Sequence, residues 1–285
     1  MSESSYTWED LRYLMARLRD PETGCPWDLQ QTADSIVPHT LEEAYELVAT
    51  IESGDIDAMR DELGDVLFQV VFYAQLAQEQ AHFDLSDVVH GLVSKLIRRH
   101  PHIFSDGNLR AVQKHEFAAE AVMDQWESIK QAERETKLQM HVLDDVPVSL
   151  PALTRAQKLQ KRASTVGLDW VALGPVLSSL KQELCEFEAA LAHPEKHDDI
   201  AHELGDLMFC CVNLARHLKL DAEQVQRAAN QRFEARVRAF TALAEQQGLT
   251  PLALTDEQRD ALWSAAKQQV QMQSEHSRGH SCYKH

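Results

Sequence analysis

Apolar residues recur along this chain at three- and four-residue intervals, and runs that alternate apolar with polar are scarce. Glycine is sparse, and the long segments rich in Ala, Leu, Glu, Gln and Arg carry the helical period, so the pattern predicts an all-α fold. A first helix is expected from Thr7 to Arg19, ended by the turn-rich run Asp20-Pro-Glu-Thr-Gly-Cys-Pro26. Thr40 is placed to cap a helix from Leu41 to about Glu52, which Ser53-Gly54-Asp55 ends. Helices are then expected from Ile56 to Gln80, from Leu85 to Arg99 and from Ala118 to Leu138. Leu143 to Pro151, with two prolines and no period, reads as a domain boundary. Beyond it come helices from Ala152 to Ala163 and from Leu177 to Leu191, and His193-Pro194 breaks the chain before a further long helix.

That further helix contains a conflict. Glu203, Asp206, Cys210 and Asn213 share one stripe at ~100° per residue, while Leu204, Leu207, Met208, Cys211, Val212 and Leu214 cover the other faces. A stripe on so apolar a helix looks inward, and an inward carboxylate must be paired, hydrogen-bonded or bound to a cation. The same device occurs earlier, where Glu62, Asp65 and Gln69 share a face of the helix that continues Val66-Leu-Phe-Gln-Val-Val-Phe.

The recurrence extends along the chain. Glu43 and Glu46 return as Glu183 and Glu186 after 140 residues, and Glu62 and Asp65 return as Glu203 and Asp206 after 141. Lys95 and Arg99 return as Arg232 and Arg236, and Trp126 and Lys130 as Trp263 and Lys267, each after 137. Offsets that drift so little identify a tandem duplication. The expected division is residues 1–146, residues 147–272 and a disordered tail at 273–285.

In each repeat one helix carries acidic residues at i and i+3, and the next helix does so again. Antiparallel packing across a short connection would bring Glu183, Glu186, Glu203 and Asp206 to one volume, and Glu43, Glu46, Glu62 and Asp65 to another. Four carboxylates repel one another unless a divalent cation stands among them, and oxygen-only donors suit Mg²⁺ or Mn²⁺. Arg232 and Arg236, one turn apart, suit phosphate oxygens, and Trp263 with Lys267 suits a flat base and an anionic group. Lys95, Arg99, Trp126 and Lys130 are their counterparts in the first repeat. The parts describe a nucleotide polyphosphate site. Taken singly, Arg at helical spacing is a common solvated face, and each Trp suits a core or interface anchor as well as a base platform.

Composition narrows the partners. The formal charge of −17 opposes nucleic acid and anionic membrane surfaces as main partners. Cys25, Cys185, Cys210, Cys211 and Cys282 form neither a Cys-x-x-Cys pair nor a regular framework, which points to reduced thiols and a cytoplasmic setting. No basic-then-apolar leader opens the chain, and no run reaches the length of a membrane span. His39, His100, His102 and His202 support no metal-ligand spacing. A di-iron carboxylate bundle expects repeated Glu-x-x-His, but Glu79-Gln-Ala-His82 stands alone at a helix end. A non-catalytic nucleotide-sensing or interaction bundle would not need its metal ligands kept in both repeats.

These residues resemble the MazG family of nucleoside triphosphate pyrophosphohydrolases over nearly the whole chain. The resemblance is carried in the first half by Cys25-Pro-Trp-Asp28, Leu41-Glu-Glu-Ala-Tyr-Glu46, Glu62-Leu-Gly-Asp65 and Lys95-Leu-Ile-Arg-Arg-His-Pro-His102. In the second half it is carried by Ala156-Gln-Lys-Leu-Gln-Lys161, Glu183, Glu186, Glu203, Asp206, Val212-Asn-Leu-Ala-Arg-His217 and Asn230-Gln-Arg-Phe-Glu-Ala-Arg236. It implies a homodimer of four-helix bundles that uses Mg²⁺ to hydrolyse nucleoside triphosphates to monophosphate and pyrophosphate. It also implies wide base tolerance and a housecleaning role. One position departs: the Glu-Glu-x-x-Glu of Glu42, Glu43 and Glu46 becomes Gln182 before Glu183 and Glu186. Against that, the second repeat has Asn213, Arg216 and Asn230 where the first has Phe72, Gln75 and Val93. A metal site needs polar support, so the second repeat is expected to be the working site, with Asn213 and Asn230 in its nucleotide-contacting set, and the first mainly to support assembly.

Overall fold

The computed structural model describes residues 5–104, 106–110, 129 and 141–281, with side chains in the last helix as far as Gln273. Every regular element among them is helical. The chain divides into two compact units, residues 1–134 and 135–285. The helix expected over 118–138, with Trp126 and Lys130, lies outside the described residues except at 129.

In the first unit α1 spans Trp8–Leu18, α2 Pro26–Gln30, α3 Val37–Ser53, α4 Ile56–Glu79 and α5 Leu85–Arg99. Local chemistry sets most of these bounds. The Thr7 hydroxyl and the Asp10 carboxylate close a capping box on α1, Asp55 accepts the Ala58 amide at the start of α4, and Asp84 with Asp87 closes a second box on α5. Gly54, at φ +75°, ends α3 in the left-handed conformation that costs glycine nothing. The expected cap at Thr40 is corrected. Pro38 fits the first turn, where no amide proton is needed, so α3 begins at Val37. Thr40 then lies inside the helix, donates to the Ile36 carbonyl at 3.1 Å and meets Tyr73 Oη of α4 at 3.0 Å.

α4 packs against α1, α3 and α5. Its C-terminal half carries the core, where Val71, Phe72 and Leu76 cluster with Met15 of α1 and with Ile36. Its N-terminal half carries the acidic residues and pairs with α3. This division leaves Leu41, Tyr45 and Val48 of α3 exposed along one stripe.

The second unit contains α6 (Ala152–Ser164), α7 (Leu173–Ala190), α8 (His197–His217), α9 (Ala222–Gln246), a 3-10 turn at Pro251–Ala253 and α10 (Asp256–Ser281). α7 begins four residues before the expected Leu177, because Pro175 is tolerated in a first turn as Pro38 is. α8 packs on α7, α6 and α9, and α9 packs on α10. Ala244, Leu254 and Leu262 are buried there against Phe240, Leu243 and Leu249. Gln157 of α6 fastens the α8–α9 turn, donating to the Leu220 carbonyl and accepting the Ala222 amide. α10 runs on to Ser281, although the polar composition predicts disorder from 273: its Gln, Met, Ser and Glu residues tolerate a helix, and no proline interrupts it. Residues 282–285 lie outside the described residues.

Candidate active site

The α3–α4 hairpin turns through Gly54 and Asp55, so the acidic residues of the two helices face each other near the turn. Glu43 of α3 and Glu62 and Asp65 of α4 each bring one carboxylate oxygen within 4.8 Å of the others. The α7–α8 hairpin repeats the device with a different division of labour. There Glu183 and Glu186 of α7 meet Glu203 of α8 within the same 4.8 Å.

Neighbours along each helix account for which acids converge. Gln182 donates its amide to Glu186 Oε1 at 2.9 Å, while Asp206 faces His202 one turn earlier at 3.4 Å. In the first unit the residue one turn before Asp65 is Asp61, which pairs with Arg60 at 3.2 Å. Asp65 therefore has no such partner one turn back. Histidines given no role from their spacing are thus engaged: His202 with Asp206, and His39 with Glu42 at 3.6 Å. Their i+4 and i+3 positions were the signal.

Burial and crowding of like charges both act on the acids themselves. Burial pushes Glu43 above the usual carboxylate range, and Asp65, Glu46, Glu62 and Glu42 push it further. Burial and then Glu46, Asp65 and Asp61 do the same to Glu62. Glu183 is raised by burial and by Glu186, Asp206 and Glu203, against a weaker opposite pull from His202. Glu62 Oε2 is buried without a hydrogen-bond partner. A set made only of carboxylate oxygens, mutually repelled and with one oxygen unsatisfied, fits a hard divalent cation. Beside Glu186 and Glu203 a cleft of about 320 Å³ opens toward the α7–α8 turn, where His193, Lys196 and Asp199 line it.

A family model for the MazG nucleotide pyrophosphohydrolase domain matches residues 31–104, which hold α3, α4, α5 and the first acidic cluster. The Escherichia coli K12 protein named nucleoside triphosphate pyrophosphohydrolase is 46% identical over 258 residues, covering 90% of this chain and 95% of that protein. The Thermotoga maritima protein named nucleoside triphosphate pyrophosphohydrolase/pyrophosphatase MazG is 39% identical over 267 residues, 94% of this chain and 98% of that protein. This chain belongs to the MazG family. A Mycolicibacterium smegmatis relative named nucleoside triphosphate pyrophosphohydrolase is 35% identical over 67% of this chain and 62% of its own length.

MazG membership makes the chain a nucleotide pyrophosphohydrolase and an enzyme that works with a divalent metal, and it directs attention to the basic and aromatic residues read from the sequence. Arg232 and Arg236 lie on α9, beside α8. Arg232 is exposed, whereas Arg236 is half-buried and its Nε is enclosed without a hydrogen-bond partner. Trp263 meets Phe233 and Phe240 edge-on, with ring centroids 6.0 and 6.4 Å away, so part of its surface anchors α10 to α9. Lys267, one turn on, is exposed. Asn213 is buried and accepts from Arg216 at 2.8 and 3.0 Å, and Asn230 accepts from Gln226 at 2.9 Å. In the first unit Lys95 is exposed and Arg99 half-buried at the end of α5.

Proposed function

We propose that the chain hydrolyses nucleoside triphosphates, ATP included, to nucleoside monophosphate and pyrophosphate at a Mg²⁺ site formed by Glu183, Glu186, Glu203 and Asp206. The observation that carries this reading is the convergence of three of these carboxylates within 4.8 Å in a chain of the MazG family. The reaction breaks the bridge between the α and β phosphates, and water supplies the oxygen that replaces it. Bound Mg²⁺, or Mn²⁺ in its place, supplies charge neutralisation for the phosphates and Lewis acidity toward water. The four carboxylates hold that charge in place, and one of them takes the proton released by the water. The Nε of Arg236, without a hydrogen-bond partner among the described residues, suits a phosphate oxygen, and Arg232 one turn away adds a second guanidinium. Lys267 and the half-buried ring of Trp263 suit the remaining anionic group and the base, with Asn213 and Asn230 supporting the set. Contact through a ring face rather than through base edges accounts for wide base tolerance and a housecleaning role in the nucleotide pool.

The exposed apolar stripes suit a homodimer: Leu41, Tyr45 and Val48 on α3, and Leu177 and Leu184 along α7 with Leu191 just past its end. A second copy laid on them would complete four-helix bundles. Among the described residues no helix is long and apolar enough to cross a membrane, and Cys25, Cys185, Cys210 and Cys211 are free thiols. Both agree with a cytoplasmic enzyme. The first-repeat acids, Glu43, Glu46, Glu62 and Asp65, with Lys95, Arg99, Trp126 and Lys130, form a second candidate site, because three of those acids also converge.

Product analysis with a panel of nucleoside triphosphates tests both parts. Monophosphate and pyrophosphate, lost in Glu203→Ala and kept in Glu62→Ala, are the expected result. Loss confined to Glu62→Ala would move the activity to the first repeat, and absence of pyrophosphate with every substrate would overturn the reaction.

A further inference from the structure

Gln182 stands 140 residues after Glu42, in the register that also relates Glu183 to Glu43 and Glu186 to Glu46. The two repeats differ at this one position of the acidic motif, and they differ in the acids that converge. With Glu42 leading, the cluster takes one acid from the first helix of the hairpin and two from the second: Glu43, Glu62 and Asp65. With Gln182 leading, it takes two from the first and one from the second: Glu183, Glu186 and Glu203. Glu42 has turned toward His39 at 3.6 Å, whereas the Gln182 amide donates to Glu186 Oε1 at 2.9 Å. We infer that Gln182 is a positioning residue, whose amide holds Glu186 in the second-repeat metal cluster.

The chemistry of the two side chains explains the difference. An ionised Glu at this position carries no proton to donate and repels an acid one turn on, whereas a Gln amide donates and adds no charge. Oε1 of Glu186 is thereby held by Gln182, and the carboxylate keeps lone pairs for a cation. Glu186 also walls the cleft of about 320 Å³ whose other side is Glu203, so its rotamer sets how closely the two helices' acids approach there. An amide in place of a fifth acid limits repulsion around a set that already raises Glu183.

The inference rests on the second-repeat acids being the metal site, and the test separates the two. Mn²⁺ binding to the full-length protein is measured by calorimetry for the wild type, Gln182→Ala, Gln182→Glu and Glu203→Ala, beside the Mg²⁺ dependence of turnover and the thermal midpoint. Glu203→Ala should lose one equivalent of Mn²⁺. Gln182→Ala and Gln182→Glu should keep that equivalent but bind it roughly threefold to tenfold more weakly, below the ~10–100-fold typical of outer-shell partners, since this contact is exposed. Half-saturating Mg²⁺ should rise by the same factor, with kcat regained at saturating Mg²⁺ and the thermal midpoint unmoved. Wild-type Mn²⁺ affinity in Gln182→Ala, or tighter binding in Gln182→Glu, would overturn the positioning role while leaving the site intact. An unchanged Mn²⁺ stoichiometry in Glu203→Ala would remove the site itself, and the inference with it.

Discussion

Asp169 and Arg216, 47 residues apart, meet through a two-pronged contact, with Arg216 Nη1 donating to Asp169 Oδ2 at 2.9 Å and Nη2 to Oδ1. The pair fastens the segment before α7 to the end of α8, and His217 adds a contact to the same carboxylate at 3.0 Å. The first unit does the same work with the charges exchanged. Arg19, at the end of α1, grips Glu79 at the end of α4 at 2.8 and 2.6 Å, and also donates to the Asp28 and Gln31 carbonyls. In each unit, then, one arginine–carboxylate contact ties the far end of the acidic helix, away from the cluster of acids, to the segment that precedes the hairpin.

Truncating Arg216 to Ala should therefore destabilise the second unit by ~1–3 kcal/mol, because Asp169 loses its guanidinium partner and the buried Asn213 Oδ1 loses its donor together. Acid should erase the difference. The Arg216 hydrogen bonds hold the Asp169 carboxyl at about 2, below its ordinary 3.8. A depressed acid contributes stability above its unfolded value and loses it as pH falls through the folded one. Thermal midpoints of wild type and Asp169→Asn should thus differ above pH 3.8 and draw together toward about pH 2. A gap that stays constant across that range would show that the ion pair is not its source.

Much of this architecture is legible in the sequence, because the signals are local. The bounds of α5 follow from the Asp84 capping box and from Pro101, and the acidic clusters follow from i, i+3 spacing in two helices joined by a short turn. Thr40 misleads because a threonine before an apolar run suits a cap, while Pro38 two residues earlier already serves as first-turn residue. The Arg19–Glu79 contact is hidden for a different reason: 60 residues separate the partners, and no periodicity links a helix end to a distant helix end. Trp263 falls between these cases. Its spacing from Lys267 suggests a base platform, and only the packing of α9 on α10 reveals that Phe233 and Phe240 meet its ring at steep angles.

Trp263 should therefore answer differently to two substitutions. Trp263→Ala opens a void against Phe240 and should cost about 3 kcal/mol, the low end for a large aromatic, since the ring is only half-buried. Trp263→Phe keeps most of the packing and reduces the ring area offered to a base. Chemical unfolding should then show a small loss of stability for Trp263→Phe, with KM for nucleoside triphosphates raised and kcat nearly kept. An unchanged KM would restrict Trp263 to its packing role.

Arg236 should be intolerant of lysine. Its Nε is enclosed and lacks a partner, and an ammonium on a flexible stem cannot place a donor at that point of the side chain. Arg236→Lys should lower kcat/KM by roughly 10- to 100-fold, the loss of one or two charge-assisted hydrogen bonds. The exposed neighbour Arg232 should lose less on conversion to lysine. Steady-state kinetics of the two variants compared with each other decides the matter, and equal losses would count against a special place for Arg236.

Removal of divalent metal should reverse the pH dependence of stability. Glu43, Glu62 and Glu183 are raised above their ordinary range by burial and by neighbouring acids, so in metal-free protein each favours folding only while protonated. That contribution is complete below the ordinary value of 4.5 and is lost as pH rises through the raised folded values. The thermal midpoint of chelator-treated protein should accordingly fall as pH rises above the ordinary 4.5, more steeply than that of a Glu43→Gln, Glu183→Gln double variant. Mg²⁺ binds the ionised acids in competition with protons, so it should raise the wild-type midpoint most at the upper end of that range. Free metal at 100 times its dissociation constant corresponds to ~2.7 kcal/mol per occupied site. The double variant should lose most of that gain, because each cluster is then short of one converging acid. A wild-type midpoint indifferent to Mg²⁺ throughout the pH range above 4.5 would mean that the acids repel one another without recruiting a cation, and the metal assignment would fail with it.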